Sequence, residues 1–236
     1  MASLSAVTPV GVLHVVATPI GNLGDISARA VEVLKTCSVL ACEDTRSARH
    51  LLDPIGASPR MIAYHEHNEA EAANGIADLV AAGESVAIIS EAGTPAISDP
   101  GFRVVRECRK RGLRVSPVPG ACAAVTALSA SGLPSDGFLY LGFLQPKSSA
   151  RVRAFQQYQD FEYTLIFYES THRIEKFLDD LLEVMGPDRV VCVARELTKL
   201  YETIFTGRLV DVIAQIKTRS TKGEFVVLIA KKDFTL

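Results

Sequence analysis

A chain of 236 residues with 48% hydrophobic and 22% charged side chains has enough apolar material for one large or two small domains, which excludes disorder as its main state. The 25 basic and 27 acidic residues leave a formal charge of −2, with 11 of the basic and 13 of the acidic ones in residues 1–120. A global basic grip on nucleic acid is excluded, and any positive footprint has to be local.

Residues 13–17, a β-branched apolar run closed by Thr18-Pro19, predict a buried strand. A loop over 18–25 leads to a helix over 27–34 and a second strand over 39–42 that ends at Glu43-Asp44. An alanine-rich helix over 68–82, a strand over 86–90, a helix over 101–111 and a strand over 113–118 continue the alternation. Residues 115–135 are free of charge, but three prolines and two glycines make them a strand, a turn and a small-residue helix over 121–130 rather than a membrane span. Strands follow over 139–144, 164–168, 190–194, 200–205 and 225–230, with helices over 174–185 and 209–216. The expected fold class is α/β with two α/β domains, 1–118 and 119–236, the second with a more mixed sheet. Five cysteines without a Cys-x-x-Cys pair, and an N-terminus without a signal-peptide pattern, point to a cytoplasmic protein with no disulfide framework and no zinc site.

Ligands of open α/β sheets collect beyond the carboxyl ends of the strands, and four such loops are unusual. Gly21 and Gly24 after the first strand, with Glu43 about twenty residues further on, partly match a dinucleotide fingerprint. The leading Gly-x-Gly is missing and Pro19 occupies the phosphate turn, so a Pro/Gly turn is the better reading. Residues 90–101, Ser-Glu-Ala-Gly-Thr-Pro-Ala-Ile-Ser-Asp-Pro-Gly, hold far more special residues than a turn requires and read as a ligand loop. His65 and His67 lack a third partner at metal spacing, so hydrogen bonding outweighs a metal role. In the second half, residues 167–173 and 194–199 put charged groups at strand ends, either for a ligand or as a network of ion pairs among Glu169, Arg173, Arg195 and Glu196.

Seven segments occur in one order: Thr-Pro-Ile-Gly-Asn-Leu at 18–23, Glu-Asp-Thr-Arg at 43–46, His-x-His-Asn-Glu at 65–69, Ala-Gly-Thr-Pro at 92–95, Ser-Asp-Pro-Gly at 98–101, Phe-Tyr-Glu-Ser at 167–170 and Arg-Glu-Leu-Thr-Lys at 195–199. Together they resemble the bacterial 16S rRNA cytidine-2′-O-methyltransferases of the tetrapyrrole methylase superfamily, the class III methyltransferases, from about residue 13 to 230. The resemblance implies two α/β domains with S-adenosylmethionine between them, a homodimer, and 16S rRNA of the small ribosomal subunit as substrate. It implies cofactor contacts from Pro19 and Gly21, from Ser90, Glu91, Ala92, Gly93, Thr94 and Ser98, and from the turn Pro119, Gly120 and Ala121. Phe167, Tyr168, Glu169 and Glu224 complete that set. The chain departs from the family in carrying Glu91 where Asp is common, and it stops where members usually continue into a C-terminal helical segment.

Methyl transfer to a ribose hydroxyl needs a proton acceptor. Lys199 is the expected base or orienter, its pKa lowered by desolvation, with Glu43, Asp44 and His65 as competitors. Asn22, Arg46, His65, Asn68 and Arg195 are expected to meet the RNA, together with Lys147 and Arg151 of a basic group that includes Arg153. A second cluster, Arg103, Arg106, Arg109, Lys110, Arg111 and Arg114, reads as a solvated helix side. A methylase of small tetrapyrroles is the alternative, although its members usually carry a Gly-Asp-Pro type loop where this chain has Ala92-Gly-Thr-Pro95.

Overall fold

Five short runs, β1 (Val12–Val16), β2 (Val39–Cys42), β3 (Arg60–Ala63), β4 (Ser85–Ile88) and β5 (Arg114–Val118), pair in parallel in the order β3-β2-β4-β1-β5. The computed structural model describes residues 11–236, and they divide into two units, one up to Cys122 and one over Ala123–Leu236. Alternation along the strands serves two cores in the first unit. Leu13, Val39, Ala41, Val86 and Ile88 pack with Ile76 and Val80 of α3 (Glu69–Ala81) and Val104 of α4 (Phe102–Lys110). Val16, Leu40, Cys42 and Ala87 turn the other way, onto Leu34 of α1 (Ala28–Thr36) and Leu52 of α2 (Thr45–Ile55). The result is a three-layer α/β/α unit.

Two helix starts explain themselves locally. Ser27 Oγ accepts from Ala30 N at 3.1 Å to cap α1, and Asp44 Oδ1 accepts from Arg46 N at 2.7 Å to cap α2. Helix α2 ends at Gly56, whose φ of +68° closes the last turn.

The second unit carries a mixed sheet of β6 (Phe138–Phe143), β7 (Thr164–Ser170), β8 (Val190–Arg195), β9 (Thr203–Arg208) and β10 (Glu224–Ile229), ordered β6-β7-β10-β8-β9. Only β6 and β7 are parallel. Helices α5 (Ala123–Ser131), α6 (Ser148–Tyr158), α7 (Ile174–Met185) and α8 (Leu209–Lys217) complete it. Phe155, Phe167 and Phe177 meet edge to face, 5.0 Å apart at the closest pair, and anchor its core.

Besides a short 3-10 turn at Leu23–Asp25, three elements lie outside the sequence-based expectation: α2, β3 and α6. The strand expected at 200–205 is β9, displaced to Thr203–Arg208, because residues 200–202 form a turn that leaves Leu200 88% and Tyr201 69% exposed. Among the described residues no helix is long and apolar enough to cross a membrane.

Candidate functional site

All five strands of the first sheet run the same way, so the loops that follow them share one edge. In spatial order that edge carries His65, Glu43, the 90–101 loop, Pro19 to Gly21 and Pro119 to Ala121. The 90–101 loop is tied to its neighbours backbone to backbone. Thr18 N donates to Gly93 O at 2.8 Å and Gly93 N to Thr18 O at 3.2 Å, while Thr94 Oγ1 donates to Ala121 O at 3.0 Å. Gly93 sits at φ +84°, where a Cβ would also lie 3.3 Å from Ile20 Cγ2, so glycine is required by conformation. Two non-glycine residues of the loop, Ala96 and Ser98, also hold positive φ, at 70° and 62°. Strain of this kind persists where the surroundings enforce a binding geometry.

The opposite end of the loop is anchored by a carboxylate. Glu69 Oε1 accepts from the Tyr64 hydroxyl at 2.9 Å, Gly101 N at 3.1 Å and Arg103 N at 3.3 Å. Burial alone would raise the Glu69 pKa, but these donors and the Arg103 charge outweigh it and hold it below the usual range. Thr18 and Glu69 both lie inside the recurring motifs, but sequence alone does not mark them as anchors, because an anchor differs from a ligand contact only in what it touches. Glu69→Ala leaves the Tyr64 hydroxyl and Gly101 N–H without this acceptor. We expect a loss of about 2 kcal/mol in urea unfolding at pH 7. The depressed pKa means that the wild-type contribution is present above the unfolded value of about 4.3 and fades as pH falls through the folded one, so the difference between the two proteins shrinks in acid.

Glu43 directly follows β2, between β3 and β4, and lines a small open cleft with Asp44, Ser47, Ser90 and Glu91. Its Oε1 is shut from solvent with no hydrogen-bond partner. Burial raises the Glu43 pKa, the Glu91 backbone N–H lowers it, the Glu91 carboxylate raises it, and His65 lowers it; the net direction is up. His65 Nδ1 is likewise buried and unpartnered. Asp44 differs. Its carboxylate caps α2 and pairs with Arg46 at 3.2 Å, and the Arg46 hydrogen bond holds its pKa down, which makes it a poor base. Arg46 remains 91% exposed. Asn22 Oδ1 accepts from Gly24 N, and Asn68 Oδ1 accepts from His65 N while its Nδ2 donates to Ala63 O, so both amides shape their own loops.

In the second unit the carboxyl ends of β6, β7 and β8 and the start of β10 share one edge. Lys199 Nζ lies 2.9 Å from Glu196 Oε1 and 2.8 Å from Glu224 Oε2. Glu196 and Thr198 hold positive φ, at 52° and 66°. Burial would lower the Lys199 pKa, but Glu224 and Glu196 prevail and raise it. The expected lowering is therefore corrected, because desolvation loses to two carboxylates. Arg195 donates to Lys222 O at 2.7 Å and Tyr201 O at 3.4 Å, which fixes the guanidinium on carbonyls.

Besides Ser90, three expected contacts meet a buried side chain. Phe167 is 0% exposed within the aromatic core, on a strand paired on both sides, so it has no ligand-facing surface. Glu169, two residues on and on the same face, is 1% exposed and pairs with Arg173 at 3.2 Å, the ion-pair alternative for that loop. Arg151 is 2% exposed on α6 and donates from Nε to Asp180 Oδ2 at 2.7 Å and from a terminal nitrogen to Pro146 O. Its guanidinium is committed to these partners inside the unit. Tyr168 faces the opposite side from Phe167; its hydroxyl accepts from Ala124 N at 3.0 Å and its ring meets Tyr140 and Phe143 edge to face. Lys147 is exposed.

Comparison with known proteins identifies the family. The family model for tetrapyrrole (corrin/porphyrin) methylases matches residues 12–213. The chain is 48% identical to a protein named ribosomal RNA small subunit methyltransferase I of Escherichia coli O157:H7, over 93% of this chain and 77% of that protein. It is 43% identical to its namesake from Halalkalibacterium halodurans, over 93% and 75%. Among solved structures, a diphthine synthase superposes with a TM-score of 0.74 at 15% identity, covering 95% and 91% of the two chains. A uroporphyrin-III-C-methyltransferase from Thermus thermophilus gives 0.62 at 19%, covering 94% of each. The chain belongs to the tetrapyrrole methylase family, among the ribosomal RNA small subunit methyltransferases I.

Proposed function

We propose that this protein is an S-adenosylmethionine-dependent methyltransferase acting on the ribose 2′-oxygen of a cytidine in the decoding centre of 16S rRNA. The observation that carries the reading is the pair of bonded loops, 90–94 and 119–121, held beside a carboxylate whose Oε1 has no partner. These residues fit the cofactor: Gly93 and Gly120 keep the turns free of side chains, and a Cβ on Gly120 would stand 3.0 Å from Ala17 Cβ. Pro19, Gly21, Glu91, Ala92, Gly93, Thr94, Ser98 and the 119–121 turn hold it, with buried Ser90 shaping the turn. On the second unit, Tyr168 and Glu224 remain in the proposed set. When bound, S-adenosylmethionine supplies an electrophilic methyl group whose bonding pair leaves with the sulfur.

Glu43 accepts the proton of the attacking hydroxyl. Its raised pKa and its place in the cleft lining suit a base better than the capped Asp44 or the ion-paired Lys199. Lys199 acts as a fixed cation that orients substrate, and Arg46, His65 and Lys147 meet the RNA. Lys199→Arg keeps the charge but cannot release a proton at neutral pH. We expect it to retain activity within about tenfold with an unchanged pH profile, where a base role demands a loss of a hundredfold or more. The reading includes a cytoplasmic homodimer, and the five unpaired thiols suit a reducing compartment.

Calorimetry with S-adenosylmethionine, followed by methyl transfer to small ribosomal subunits and, separately, to uroporphyrinoid substrates, tests the assignment. Binding with transfer to subunits alone supports it. Transfer to the tetrapyrrole alone replaces it with the small-molecule reading.

A further inference from the structure

Helix α4 follows directly on the 90–101 ligand loop, and its outer face breaks the charge balance of the chain. Residues 103–114 contain six basic side chains and one acid, Glu107, on a protein whose net charge is −2. The structure sorts the six. Arg103 is committed to Glu69, and Arg111 to Asp78 and to Glu107, the acid of that segment. Arg106, Arg109, Lys110 and Arg114 are exposed, and among the described residues none has a carboxylate within ion-pair distance. The first residue of the helix, Phe102, is 62% exposed, with the Arg106 guanidinium 6.0 Å from its ring centroid. A helix side that serves only solubility ordinarily intersperses both signs of charge, and one exposed ring alone would be unremarkable. Here the ring stands among cations that no acid balances among the described residues. A flat ring beside unpaired guanidinium groups offers instead a stacking platform within reach of phosphate-binding cations.

From this juxtaposition we propose that the outer face of α4, Phe102 with Arg106, Arg109 and Lys110, is a docking surface for the RNA substrate, the arginines and lysine on phosphates and Phe102 against an unstacked base. The proposal rests on the rRNA methyltransferase reading and adds the face by which the RNA is held. Of the expected basic group, Arg151 is buried, while Lys147 and Arg153 stay exposed and open to the RNA in addition to this face. Arg114 lies beyond the helix and extends the positive strip.

The test uses the full chain with purified small ribosomal subunits and with a 16S rRNA fragment. It compares the wild type, the triple variant Arg106→Gln/Arg109→Gln/Lys110→Gln, and Phe102→Ala, across a series of salt concentrations. If three phosphate contacts are lost, the slope of log affinity against log salt falls by about two, at about 0.7 per contact with single strands. Phe102→Ala weakens binding several-fold at every salt concentration without changing the slope. Both variants keep the wild-type melting temperature and S-adenosylmethionine affinity, which separates docking from folding and from the cofactor site. Unchanged affinity and slope in the triple variant, beside a wild type that binds and methylates subunits, overturns the α4 surface and leaves the enzyme reading intact. Weaker binding with an unchanged slope assigns the face to ribosomal protein and also overturns the proposal. A wild type that neither binds nor methylates subunits overturns both.

Discussion

Replacing Glu43 with Gln is expected to cut methyl transfer by a factor of about 10² to 10⁴, the range associated with loss of a positioned base. The substitution keeps the shape and removes the ability to hold a proton, so S-adenosylmethionine affinity stays within a few-fold of wild type. A second signature separates this residue from a merely structural one. Burial raises the Glu43 pKa, with the Glu91 carboxylate adding to it and His65 opposing. A carboxyl group with a raised folded pKa is most at ease protonated, so its ionisation destabilises the fold as pH rises through that value. Glu43→Gln is therefore at least as heat-stable as wild type at pH 7 to 8, and any gain vanishes below the unfolded value of about 4.3. Turnover by the wild type falls on the acid side as Glu43 becomes protonated, at a pH above the ordinary glutamate range. A variant with near-normal turnover, or one that unfolds at neutral pH, removes Glu43 from the role of base.

Arg151→Ala carries the second large effect, on stability instead of rate. Arg151 and Asp180 are 2% and 9% exposed, and the guanidinium also serves the Pro146 carbonyl. Removing one member of such a pair strands the other charge, at a cost of about 3 to 5 kcal/mol. Ser148 Oγ, which donates to Asp180 Oδ1 at 2.7 Å, offsets part of that loss, so we expect about 3 kcal/mol in denaturant unfolding. The salt dependence of RNA binding by the folded fraction is unchanged. A stable variant with a shallower salt slope would return Arg151 to the RNA surface.

The parts of the fold that were legible in the sequence were those with an uninterrupted apolar signal. All four residues of β2 are buried, and 174–185, read as a helix from its pattern, coincides with α7. By contrast β3 is an edge strand paired only with β2, with Arg60 and Ala63 exposed, so it leaves no continuous run. Helix α2 hides behind polar residues and Pro54 near its end, and in α6 Arg151 occupies the face shared with buried Phe155. The loops of the site were legible because Gly, Pro, acids and hydroxyls collect there in excess of what turns need. Side-chain direction was not. Phe167-Tyr168-Glu169 reads as one motif, yet the two-residue period of a strand sends Phe167 and Glu169 inward and Tyr168 to the other face. Ionisation was also hidden: whether Lys199 is a base or a fixed cation depends on Glu196 and Glu224, and Glu224 is 25 residues away in the chain.

The most direct test of the account is to incubate the protein with isotopically labelled S-adenosylmethionine and small ribosomal subunits lacking the mark, digest the 16S rRNA to nucleosides, and identify the labelled product by mass spectrometry. Up to one equivalent of 2′-O-methylcytidine per rRNA is expected with wild type and almost none with Glu43→Gln. Label on a nucleobase, on ribosomal protein, or absent from the rRNA would contradict it.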